Sequence, residues 1–98
     1  MKAKHAKTLR AIFTKPTPLA SIVFADIETL VVALGGEVRE GAGSRVELEI
    51  DGVRVFPHRL HPGKETPKYM IEEIRGWLAG LGRNPNEHPD LQGLYRPH

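Results

Sequence analysis

Apolar residues along this chain recur with two different periods, and each change of period marks where a helix gives way to strands. Leu9, Ile12 and Phe13 have helical spacing, and Pro16 and Pro18 stop the short helix they form. Residues 21–24 read as an extended approach to a stronger helix, in which Ile27, Leu30, Val31 and Leu34 recur at i, i+3, i+4 and i+7. Such a stripe must face a core. Gly35-Gly36 follows it directly, and glycine supplies the left-handed residue that commonly ends a helix.

The period then shortens. Residues 37–40 form a short strand, residues 41–44 a loop of sequence Gly-Ala-Gly-Ser, and residues 45–50 alternate polar with apolar side chains. Asp51-Gly52 follows, a dipeptide suited to a type I′ hairpin turn because both central residues of that turn need positive φ. A two-residue turn fixes the register. Ile50 then faces Val53, Leu48 faces Val55 and Val46 faces Pro57 on one side, while Glu49 faces Arg54, Glu47 faces Phe56 and Arg45 faces His58 on the other. The apolar set belongs under the helices, and the charged and aromatic set looks outward. Pro57 donates no ladder hydrogen bond, so pairing is expected to end near it.

The loop His61-Pro62-Gly63-Lys64-Glu65 leads to Thr66, read as an N-cap, and Pro67, read as the first helical residue. Ile71, Ile74, Leu78 and Leu81 then make a second core-facing stripe, widened by Met70 and Trp77 and closed by Gly82. Gly76 and Gly80 inside this helix each cost about 1 kcal/mol relative to alanine, and close approach of the sheet is the expected reason for them. From residue 83 onward proline, asparagine and glycine dominate, which predicts a flexible tail or one that wraps the surface through Leu91, Leu94 and Tyr95.

Composition narrows the setting. A chain of 98 residues is expected to form one core, and the absence of cysteine removes disulfides and thiolate metal sites. No apolar run approaches the roughly 20 residues that cross a bilayer, so a cytoplasmic protein without a membrane partner is expected. The net charge of +2 is mild, but Lys2, Lys4, Lys7, Arg10 and Lys15 all precede the first acidic residue, Asp26. That asymmetry allows attraction to phosphate, and a solvated, frayed terminus accounts for it equally well.

Three short motifs carry a family resemblance: Leu34-Gly35-Gly36 at the end of the first core helix, Gly43-Ser44 at the turn before the second strand, and His61-Pro62-Gly63-Lys64-Glu65 before the last helix. Together they resemble the HicA family of small mRNA-interferase toxins over roughly residues 26–82. The resemblance implies an α+β fold similar to the double-stranded-RNA-binding domain. Its order is α-β-β-β-α, with both helices on one face of a three-stranded antiparallel sheet; a short N-terminal helix and an irregular C-terminal tail are added here. The expected organisation is a basic extension over 1–24, the HicA-like domain over 25–82 and a flexible tail over 83–98. The resemblance also implies RNA cleavage without a metal or other cofactor, and a HicB-like antitoxin that covers the active histidine. At the position after Gly43-Ser44, where that family usually places this histidine, the chain has Arg45.

Cleavage of RNA needs a base for the 2′-hydroxyl proton, an acid for the leaving oxygen and positive charge for the phosphate. Arg45 can supply the charge but no proton transfer, because guanidinium does not deprotonate in proteins. His58, opposite Arg45 in the deduced register, is the candidate catalytic base, against the plain reading of a surface histidine. RNA contacts are assigned to Arg45, Phe56, His61, Lys64 and Lys68. Phe56 can stack a base or lie under a partner, and His61 can bind phosphate or order its turn. Lys64 and Lys68 sit at the helix start, where backbone N–H groups favour anions, although lysines there are usually just solvated. His58 and His61 do not make a metal site, since Arg59 lies between them and no third ligand is near in sequence. Two functions stay open: an RNA-binding toxin acting as a metal-independent endoribonuclease, and a non-catalytic RNA- or protein-binding module of the same fold.

Overall fold

The computed structural model describes residues 2–14, 22–61 and 63–83. The prolines at 16, 18 and 62 and the tail from residue 84, with Leu91, Leu94 and Tyr95, lie outside the described residues. The elements run α1 (Ala3–Ile12), α2 (Phe24–Ala33), β1 (Glu37–Glu40), β2 (Val46–Ile50), β3 (Val53–Val55) and α3 (Lys68–Gly80). The three strands form one antiparallel sheet in the order β1-β2-β3. From α2 onward the order is α-β-β-β-α, an α+β fold.

The hairpin follows from its turn. Asp51 and Gly52 both have positive φ, at 54° and 81°, and the pairs Ile50–Val53, Glu49–Arg54 and Leu48–Val55 form as the sequence predicts. Val46, Leu48 and Ile50 are buried beneath the sheet with Ile27, Leu30, Val31, Leu34, Ile71, Ile74 and Leu78 from the two helices. Burial weakens toward the β3 edge: Val53, expected under the helices, is 46% exposed, with only its carbonyl covered by a hydrogen bond from Trp77 Nε1 at 3.2 Å.

Both core helices end on a Schellman motif. Past α2, Gly35 has φ 89°, its N–H donates to Val32 O, and Gly36 N–H donates to Val31 O. A Cβ on Gly36 would land against the Glu49 carbonyl and Ile50 Cγ1, so the pair both stops the helix and lets the chain pass close over β2. Past α3, Gly82 has φ 73° and Arg83 N–H donates to Leu78 O at 2.9 Å.

The start of α3 differs from its sequence reading. Pro67, not Thr66, is the N-cap, and it makes no side-chain cap. The backbone N–H of Thr66 donates to Ile22 O at 2.9 Å beside the Val23–Glu65 bridge, which holds Thr66 one residue too early to cap. Its hydroxyl is buried without a partner among the described residues. Gly76 and Gly80 are corrected as well: a Cβ at either would meet nothing within 4 Å, so neither admits the sheet.

The N-terminal helix is not frayed over Ala3–Ile12. Ala6, Leu9 and Ile12 are fully buried in the common core, and Arg75 of α3 closes the end of α1 by donating to Ile12 O at 2.7 Å and Thr14 O at 3.0 Å. A cation on the last carbonyls of a helix satisfies acceptors that have no intrahelical donor. No helix among the described residues is long and apolar enough to cross a membrane.

Candidate functional site at the end of the sheet

The register carries on past the regular strands. Val46 N–H donates to Pro57 O at 3.0 Å and Arg59 N–H to Ser44 O at 2.7 Å, which brackets Arg45 and His58 as an isolated antiparallel bridge. A pair flanked in this way is the non-hydrogen-bonded kind, in which opposed side chains approach most closely. The regular strand ends at Val55, near Pro57 as expected, and a single bridge follows it: Pro57 accepts from Val46 N–H through its carbonyl, while its missing N–H leaves Val46 O without the reciprocal ladder bond. Arg45 and His58 are both exposed, and the Arg45 guanidinium donates to Phe56 O at 2.6 Å. Phe56 is 44% exposed. Arg45, Phe56 and His58 thus form one cluster at the Ser44 end of the sheet.

His61, Lys64 and Lys68 occupy a second position. Lys64 N–H closes a turn onto His61 O at 2.9 Å, and His61 Nδ1 accepts from Gly63 N–H at 3.3 Å. The loop is clipped to the approach of α2: Phe24 N–H donates to Lys64 O at 3.0 Å, and Val23 bridges Glu65. His61, Lys64 and Lys68 are all exposed, Lys68 being the first residue of α3. No hydrogen bond or ion pair among the described residues joins these three to Arg45 or His58.

The middle of the outer face is occupied by its own ion pairs. Arg39 donates to Glu37, Glu47 and Glu49, and Arg54 Nε lies 2.9 Å from Glu47 and 3.7 Å from Glu49. The hydrogen bond from Arg39 is the main reason the Glu47 carboxyl is held below the usual carboxylate range, with Arg54 adding to it. Three carboxylates here face two guanidinium groups, so this part of the face offers no net attraction to phosphate.

In the sequence Arg59 served only to separate His58 from His61. Its N–H holds Ser44 O and its guanidinium pairs with Glu40, which ties the Gly41–Ser44 loop to the segment after β3. Extending the Asp-Gly register one step beyond Arg45–His58 would have found it. Among the described residues no group of three or more histidine, aspartate or glutamate side chains is placed to hold a metal ion.

A helix, three antiparallel strands and a second helix, with exposed basic groups at one end of the sheet, describe a small α+β domain. The family model described as the HicA toxin of bacterial toxin–antitoxin systems matches residues 24–81, more than half of the chain, and the chain belongs to that family. Helix α1 lies outside the matched region. No curated protein matches the chain. No solved structure matches it.

Proposed function

We propose that this HicA-family chain is an RNA-binding toxin of the cytoplasm, held in check by a HicB-like antitoxin. In this reading it is a weak metal-independent endoribonuclease whose proton transfer rests on His58. The observation that carries the reading is the close pairing of Arg45 with His58 on the open face. In this scheme His58 takes the 2′-hydroxyl proton, the 2′-oxygen attacks phosphorus, and the bond to the leaving 5′-oxygen breaks with return of a proton to it. Arg45 stabilises the charge that builds on the phosphate. Phe56 stacks a base, while His61, Lys64 and Lys68 hold neighbouring phosphates. Residues 25–82 carry this activity on a fold like the double-stranded-RNA-binding domain, and residues 1–24 brace it through α1.

A second reading, a non-catalytic RNA- or protein-binding module, is favoured by one contact: the Arg45 guanidinium is engaged by the Phe56 carbonyl and acts partly as a strut. The two readings separate in a cleavage assay on purified RNA without added metal, comparing the native chain with Arg45→His and His58→Ala. Weak native cleavage, lost in His58→Ala and raised in Arg45→His by a factor of about 100 to 10,000, supports the nuclease. Native cleavage that survives His58→Ala rejects the role given to His58. Binding without cleavage in all three proteins supports the module. A HicB-like reading frame beside the gene would bear on the pairing whatever the activity.

A further inference from the structure

The open edge of β1 lies above a groove that the RNA chemistry does not use. The direction of the backbone groups on this edge follows from the ladder. Val46 N–H is bound to Pro57 O, so the polar groups of Val46 point toward β3, and those of Glu47 and Glu49 point toward β1. Their partners on β1 are Arg39 and Glu37. The N–H and C=O of Val38 and Glu40 therefore project away from the sheet, and no described residue pairs with them.

Beneath this edge is a groove of about 620 Å³ between β1, the outer side of α2 and the start of α1. Val32, 59% exposed, and Val38 supply apolar lining, Thr29 and Glu28 continue the α2 wall, and Lys2 and Lys4 stand at the α1 end. Helix α1 begins there with no side-chain cap and no acidic residue in its first turn, so its initial N–H groups add to the positive potential of the lysines. His5 also lines this end, and its Nδ1 is shut off from water and without a partner among the described residues.

We propose that this groove is a strand-addition site for an extended segment of a protein partner. The segment alternates apolar with polar side chains and carries carboxylates at the end that reaches α1. Main-chain bonds to Val38 and Glu40 would align the segment, and every second side chain would then drop toward Val32. The carboxylates would meet Lys2, Lys4 and the α1 N-terminus. A polypeptide fits better than RNA, because the free edge presents alternating peptide donors and acceptors and the lining is aliphatic. The groove shares no residue with the Arg45–His58 cluster or with His61, Lys64 and Lys68, so the proposal stands apart from the RNA reading.

The test is selection of short random peptides displayed on phage against the native chain, followed by titration of the selected synthetic peptide into three proteins: the native chain, Val38→Pro and the double variant Lys2→Glu/Lys4→Glu. Val38→Pro removes an N–H that no strand among the described residues uses, and the lysine pair is on the surface, so a melting curve of each variant verifies folding. Expected are selected peptides that alternate apolar residues and include acidic ones, amide shifts centred on Val38 and Glu40, and affinity at least about tenfold weaker in each variant. If Val38→Pro fails to fold, the lysine variant and the amide shifts decide alone. Equal affinity for the folded variants, shifts centred elsewhere, or no enrichment over the lysine variant would overturn the proposal. So would a single-stranded oligoribonucleotide that moves the Val38 and Glu40 amides while the peptide does not.

Discussion

The two faces of the sheet share one backbone and hold their side chains by different means. Inward, Val46, Leu48 and Ile50 are sealed under α2 and α3. Burial of such a side chain contributes about 1.5–3 kcal/mol, and the surrounding packing adds to the cost of removing it. Outward, Arg39, Glu47, Glu49 and Arg54 neutralise one another in reach of water, where ion pairs contribute little to stability. The difference teaches that the inner face keeps the fold while the outer face is free to vary its charges without loss of the core. Because the outer centre satisfies its own charges, attraction for an anionic partner shifts to the ends, where Arg45, Lys64 and Lys68 are exposed.

The sharpest way to break this comparison is to truncate both sides. Leu48→Ala is expected to cost about 2–5 kcal/mol in urea unfolding, and Leu9→Ala in α1 to cost a similar amount, since both side chains are 0% exposed. Arg39→Ala on the outer face is expected to cost clearly less than either. If Arg39→Ala matched Leu48→Ala, the assignment of stability to the inner face would be wrong. If Leu9→Ala were harmless, α1 would be an appendage and not a part of the core.

Smaller effects sharpen the picture. Gly76→Ala and Gly80→Ala are each expected to raise stability by about 1 kcal/mol, because both positions are helical and open. A melting temperature that falls in either variant would reveal a close neighbour at that position. The smallest effect belongs to Glu47. Its pKa is lowered in the folded chain, so its contribution is fully present above the ordinary carboxylate value of 4.5 and is lost as pH falls below it, through the depressed folded value. Glu47→Gln is therefore expected to flatten the acid limb of the stability curve below pH 4.5. An unchanged acid limb would show that the outer pairs do not couple to folding.

What could be read from the sequence follows from the range of the interaction. The Asp51-Gly52 turn sets its register locally, so one dipeptide sufficed to place Leu48 against Val55 and Arg45 against His58. The stripes of α2 and α3 and their glycine stops were legible for the same reason. Periodicity cannot name distant partners. Thr66 has the chemistry of an N-cap, but a backbone bond to Ile22 holds it outside the helix. Gly76 and Gly80 suggested a close approach that no neighbour makes. The bonds of Arg75 to Ile12 O and Thr14 O join segments that sequence spacing does not connect. At the candidate site the Arg45–His58 pair was legible, and the same register would have reached Arg59 opposite Ser44, whereas the ion pair of Arg59 with Glu40 was not legible.

The clip between residues 22–24 and 64–66 has a consequence for biosynthesis. The loop bearing His61 and Lys64 takes its shape from a segment translated some forty residues before it, and the end of α1 receives the Arg75 guanidinium from α3. Contacts so far apart in sequence form late, because a long loop must close before they gain anything. A nascent chain on the ribosome therefore lacks the finished loop until residues 64–66 have emerged, and leaves the end of α1 without Arg75 until α3 has followed.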